Sequence, residues 1–205
     1  EACKAIHRLV ESGHLRPLVS EELRILASKS AADHHFPQAA NFLQFAVETH
    51  PEDPGLHVQL GEVLSSFYQD DAANEAFLKA MRLWFQAGNL DEALALGEKI
   101  IHRAPLSDED LGNIVDAHLK RGDQKKAAYV AGQLVTSLQK KNELQKAASI
   151  LKPIAALNPK DLNLRIQIAT LLDKSGDKEG ATRNLDEVAA DLERERKVRE
   201  QIRIL

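Results

Sequence analysis

The chain has 205 residues, 43% of them apolar and 28% charged, with 27 basic and 31 acidic residues leaving a formal charge of −4. That composition supports a packed core or one repeat array and excludes a disordered tail. It lacks the basic excess that nucleic acid demands and any apolar run near the ~18 residues of a membrane span, and its lone Cys3 excludes an internal disulfide or a four-cysteine zinc site.

The chain has no secretory signal and opens at Glu1 without a methionine, which leaves room for an upstream segment. One cysteine suits a reducing compartment, so the expected location is cytoplasmic. In chain order, apolar periodicity and punctuation predict eleven helices: 2–12, 20–33, 37–49, 54–67, 71–86, 90–103, 108–120, 124–140, 143–157, 161–174 and 178–203. Helix starts are read at Asn89, Ser107 and Asn142, whose short side chains can cap free amides. Gly13, Gly88, Gly122 and Gly176 fall between helices, Pro37 in a first turn, and Pro153 inside a helix that it should bend. No stretch alternates with period two over strand length, and no Gly-Ser linker divides the chain.

An internal period runs through these helices. Pro51, Pro105 and Pro159 are 54 residues apart, as are Leu60, Ile114 and Ile168. Alanines Ala39, Ala73, Ala93, Ala127, Ala147 and Ala181 step by 34, 20, 34, 20 and 34. Leu60-Gly61, Leu64, Ala73, Phe77 and Ala80 set one 34-residue unit; Gly88, Ala93 and Pro105 follow half of another, as do Gly122 with Ala127 and Gly176 with Ala181. Over residues 19–190 this pattern resembles the tetratricopeptide repeat, but with a three-helix unit of 54 residues.

The resemblance implies an all-α fold, a right-handed α-solenoid of antiparallel helices, TPR-like. A single array is expected over 1–205: a leading helix in 1–18, repeats over 19–190, and a charged capping helix over 178–205. Segments 71–86 and 124–140, apolar over more than half their circumference, are expected to pack on two sides, Tyr129 and Ala128 among the apolar positions. Phe77, Ala80 and Trp84 should then touch the preceding helix and Met81 the following one. Trp84→Ala should cost ~3–5 kcal/mol, the range for a buried aromatic.

The sequence carries no phosphate-loop, dinucleotide, zincin or nucleophile-elbow motif, so no enzyme and no cofactor is expected. Asp33-His34-His35 is its densest histidine cluster, but adjacent helical residues point ~100° apart, which favours solvated or capping histidines over a metal site. His50 and His57 flank two prolines, and His118 sits at a core-facing position where a partly buried, hydrogen-bonded imidazole is expected. Asp70-Asp71 and Asp108/Asp110 fall at helix starts, where the helix dipole favours carboxylates. Cys3 aligns with His57 and Leu111 as a packing residue.

Charge is segregated. Glu48 to Glu75 holds seven acidic residues and no Lys or Arg, whereas Lys120 to Lys160 holds nine basic and two acidic residues. Either these are solvated faces or they steer a partner. The C-terminal helix, with Val188, Leu192, Val198, Ile202 and Leu205 as a broken stripe, either caps the array or lets a second chain dock.

Transfer of the family's groove positions gives candidate partner-binding residues Arg24, Ser28, Glu62, Ser65, Arg82, Phe85, Asp116, Lys120, Thr136, Gln139, Thr170 and Asp173. The expected function is a scaffold or adaptor, possessing no enzyme activity, for a protein or peptide. Alternatives are a client-binding chaperone for secretion or membrane assembly, and the repeat region of a longer bacterial enzyme or sensor.

Overall fold

The computed structural model describes residues 16–204, with side chains over 20–194 and at Arg196. The described residues form ten helices and no strand: α1 (Arg16–Ala32), α2 (Phe36–Thr49), α3 (Pro54–Ser66), α4 (Asp70–Ala87), α5 (Leu90–Ile100), α6 (Asp108–Lys120), α7 (Gln124–Lys140), α8 (Leu144–Leu157), α9 (Leu162–Lys174) and α10 (Lys178–Ile204). The described residues are therefore an all-helical array of consecutively packed helices. The helix expected over 2–12, with Cys3, His7 and Gly13, lies outside the described residues, as do the side chains of Val198, Ile202 and Leu205.

The chain divides between Pro105 and Leu106 into two compact units. Within the first, α1 packs on α2, α2 on α3, α3 on α4 and α4 on α5; within the second, α6 packs on α7, α7 on α8, α8 on α9 and α9 on α10. The alanine anchors Ala39, Ala73, Ala93, Ala127 and Ala147 are fully buried, and Ala181 is nearly so. Small side chains at these points let helix axes approach closely, and longer residues one turn away fill the space.

The backbone repeats the same rhythm independently. Left-handed φ occurs at His34, Tyr68, Gly88, Gly122, Asn142 and Gly176, positions stepping by 34, 20, 34, 20 and 34. Each closes a tight turn: Asn89 N–H donates to Trp84 O at 2.9 Å and Glu143 N–H to Leu138 O at 2.9 Å. Three of the six lack glycine, and Tyr68 holds φ +63° while 93% exposed.

This turn explains two corrections. Asn142 does not cap α8: it is the left-handed residue, and the N-cap is Glu143, with no side-chain bond. Asn89 is the N-cap of α5 but makes no side-chain cap bond either. Ser107 fulfils its reading, forming a reciprocal capping box with Asp110 ahead of α6. Helix α5 ends at Ile100 rather than 103, since Arg103 and Ala104 N–H groups both return to Ile100 O in a turn before Pro105.

Two burial expectations change. Phe77, Ala80 and Met81 are fully buried, but Trp84 is only half-buried. It lies near the C-terminal end of α4. Tyr129 and Ala128 are exposed on α7, Tyr129 at 55%, so the buried stripe of that helix is Ala127, Val130, Ala131, Leu134, Val135 and Leu138. Pro37 takes the first turn of α2, and Pro153 lies inside α8.

Candidate functional site

The groove positions transferred from the family fall on both units and are mostly exposed. On α1, Arg24 is half-buried with an ion pair to Glu21 at 3.6 Å, and Ser28 Oγ donates to the Arg24 carbonyl at 2.8 Å. On α3, Glu62 is exposed, while Ser65 is half-buried with an Oγ that has no hydrogen-bond partner in the chain. Arg82 is exposed on α4 and Phe85 half-buried. In the second unit Asp116, Lys120, Thr136, Gln139, Thr170 and Asp173 are all exposed. Thr136 and Thr170 hydroxyls donate to the carbonyls of Gly132 and Ile166, both at 2.8 Å, one turn back on their own helices.

A more constructed site lies in the second unit. Helices α8 and α10 flank α9 and leave a cleft of about 450 Å³ between them. Ile168 and Leu172 of α9 form its floor, Lys152, Ala155 and Ala156 one wall, and Gly180, Arg183, Asn184 and Glu187 the other. At one end Arg165, only 7% exposed, donates to Asp191 Oδ2 at 2.6 Å and to the Pro159 carbonyl at 3.4 Å. Glu187 is a further ion partner at 3.5 Å. Asn184 Oδ1 is buried with no hydrogen-bond partner in the chain. Neither Lys152 nor Arg183 pairs with a carboxylate among the described residues.

These residues escaped the sequence reading. The 54-residue register was the available signal: Arg165 stands where Leu111 and His57 stand, and Asn184 where Val130 and Ala76 stand. All six are helical residues.

The paired acids at helix starts do more than face a dipole. Asp70 accepts from Arg103 at 2.8 Å. Asp108 accepts from Lys141 Nζ at 2.5 Å and Ser137 Oγ at 2.7 Å. Each pair ties the start of one helix to the end of the antiparallel next. The Lys141 and Ser137 hydrogen bonds hold the Asp108 carboxyl below its usual value. A depressed folded pKa adds stability above the unfolded value of about 3.9 and loses it as pH falls through the folded one. Acid unfolding of Asp108→Asn should therefore show less loss between about pH 5 and 2 than the parent. Because Lys141 is 53% exposed, the difference should stay below about 1 kcal/mol. Identical pH profiles for the two proteins would remove Asp108 from the acid response.

Four of the described histidines have local partners. His118 is 3% exposed in α6 and has a bonding partner. His57 Nε2 lies 2.9 Å from the Pro51 carbonyl, and His50 Nδ1 3.1 Å from Thr49 Oγ1. His34 packs edge-on to Phe36 at 5.8 Å. Among the described residues, no three His, Cys, Asp or Glu side chains are placed to hold one metal ion. No described helix is long and apolar enough to cross a membrane.

No known family and no curated protein matches the chain. Solved structures similar to it include MamA from Desulfovibrio magneticus, at 17% identity over 86% of this chain and 96% of that one, TM-score 0.34. Others are the P58(IPK) TPR domain, at 19% identity over 82% of this chain and 59% of that one, TM-score 0.32, and a tetratricopeptide repeat protein from Parabacteroides merdae, at 15% identity over 84% and 80%, TM-score 0.30. These are likenesses of fold alone.

Proposed function

We propose that the chain is a non-enzymatic scaffold that binds a protein or peptide partner on the surface of its helical repeats. The cleft between α8 and α10 carries this reading. There Asn184 stands where the first two repeats bury Ala76 and Val130, and open space remains above an apolar floor. The exposed groove positions Glu62, Arg82, Asp116, Lys120, Thr136, Gln139, Thr170 and Asp173 offer polar contacts on helices whose other faces hold the core.

The acidic run lies in the first unit and the basic run in the second, so an acidic partner would be drawn to the second. Affinity capture from the native cell supplies a partner. Reversing Lys125, Lys126 and Lys140 to Glu is then expected to slow association about tenfold at low salt, with the difference shrinking as salt rises. Lys141 is left intact because it holds Asp108. Stopped-flow association at two salt concentrations measures this. On-rates unaffected by both charge and salt would reduce the basic run to a solvated face.

A further inference from the structure

We propose that the outer face of α10 is a self-docking surface, on which two copies of the chain pair antiparallel about a two-fold axis. This goes beyond the partner-binding reading and does not depend on it.

Helix α10 runs for 27 residues, about 40 Å, and packs on α9. Ala181 and Val188 are buried, and Arg165 of α9 holds Asp191 and Glu187. The inward face is thus taken, Val188 of the broken stripe included. A second face lies beside it. Leu185, Ala189, Leu192 and Arg196 are all exposed and step by 4, 3 and 4 residues, which lines them up as one seam along the helix. Asp186 and Glu193 each follow a seam leucine and are exposed at its edge, as is Glu179 seven residues before Asp186.

The seam is complementary to itself. Place the axis between residues 190 and 191. Leu192 then lies against Ala189 of the second copy, large against small, and Ala189 against its Leu192. Arg196 comes to Leu185 and Asp186 of the second copy, where its stem can cover the leucine and its guanidinium meet the carboxylate. The same exchange occurs twice, as a two-fold requires.

Charge sets the direction. Residues 178–193 hold five acidic and two basic residues, whereas 194–205 hold five basic and two acidic. Of the first group Glu187 and Asp191 are committed to Arg165, and Arg183 stands about 160° round the helix from Leu185. Glu179, Asp186 and Glu193 therefore border the seam with Lys178 as the opposing cation. Antiparallel pairing sets this acidic half against the basic half of the second copy, and parallel pairing sets like against like. One pair of helices makes a small interface, so the dimer is expected to be reversible, with a dissociation constant of about 10–100 μM.

The test is sedimentation equilibrium of the whole chain over about 5–200 μM. Weight-average mass is expected to rise from 22.7 kDa toward twice that value at low salt, and less steeply at about 0.5 M salt. Leu185→Asp with Leu192→Asp should weaken association about tenfold or more while the helical circular-dichroism signal is retained, so lost pairing is not lost folding. Asp186→Lys and Arg196→Glu should each weaken self-association about fivefold, and an equimolar mixture of the two should recover it, because each variant then meets an opposite charge. In a parallel pair either reversal exchanges one like-charge contact for another and changes little, which would overturn the antiparallel register. A dimer indifferent to the two leucines, or a mixture no tighter than its components, would overturn the surface itself. A chain that stays a monomer at about 200 μM would also overturn it and leave the seam to a different protein or a further helix. None of these results bears on capture of a partner by the rest of the array.

Discussion

Phe77→Ala is expected to destabilise the protein by about 3–5 kcal/mol in urea unfolding, the range for emptying a fully buried aromatic site. Phe77 sits in α4 with no exposed surface. One side of its ring faces Gly61 of α3, and Lys99 Nζ of α5 lies 4.1 Å from its centroid. It thus fills the junction of three consecutive helices, and alanine would leave a cavity that none of them can close alone. Trp84 was the obvious candidate on size, but its half-burial lowers the expected cost of Trp84→Ala to about 1–3 kcal/mol. Urea midpoints of the two variants, read with unchanged slopes, decide between them. A Trp84→Ala loss equal to or above that of Phe77→Ala would reverse this ranking of the core.

The helical fold was legible because small residues recur at fixed steps. Ala39, Ala73, Ala93, Ala127, Ala147 and Ala181 mark close approaches, and periodicity reports which face of a helix turns inward. It does not report depth. Trp84 and Tyr129 lie on apolar-looking helices yet reach solvent, because one is near a helix end and the other projects from the outer face of α7. The caps misled for another reason. Asn142 has the residue type of a cap, but Asn also tolerates a left-handed φ better than most side chains, and the six-position rhythm decides its role.

A two-helix register does not bring the cleft residues together. Groove residues were transferred from a two-helix pattern, whereas the site arises from differences between copies of a three-helix pattern. Asn184 in isolation is an unremarked polar residue on a charged helix. Set against Val130 and Ala76 it is a polar substitution in a core column, whereas Arg165 shares a column with Leu111 and the buried His57, which bonds the Pro51 carbonyl as Arg165 bonds that of Pro159. Mutually supportive local and global preferences make a repeat foldable, so positions that break the column are where function is expected.

Gly61→Ala is expected to destabilise by about 1–3 kcal/mol, although alanine is the better helix former by about 1 kcal/mol. Gly61 is buried in α3, and a Cβ there would lie 2.6 Å from Cε1 of Phe77. The ring has nowhere to retreat, being fully buried with Lys99 over it. Gly132 in α7 provides the contrast: a Cβ there meets nothing within 4 Å, so Gly132→Ala should raise stability by about 0.5–1 kcal/mol. The cause can be isolated with Phe77→Leu, which removes ring atoms at the point of collision. In that background Gly61→Ala should cost less than in the parent, giving a coupling of more than about 0.5 kcal/mol. Urea melts of the two single variants and the double variant close the cycle. Strict additivity, or a Gly61→Ala protein as stabilised as Gly132→Ala, would mean that Gly61 is set by something other than the Phe77 ring.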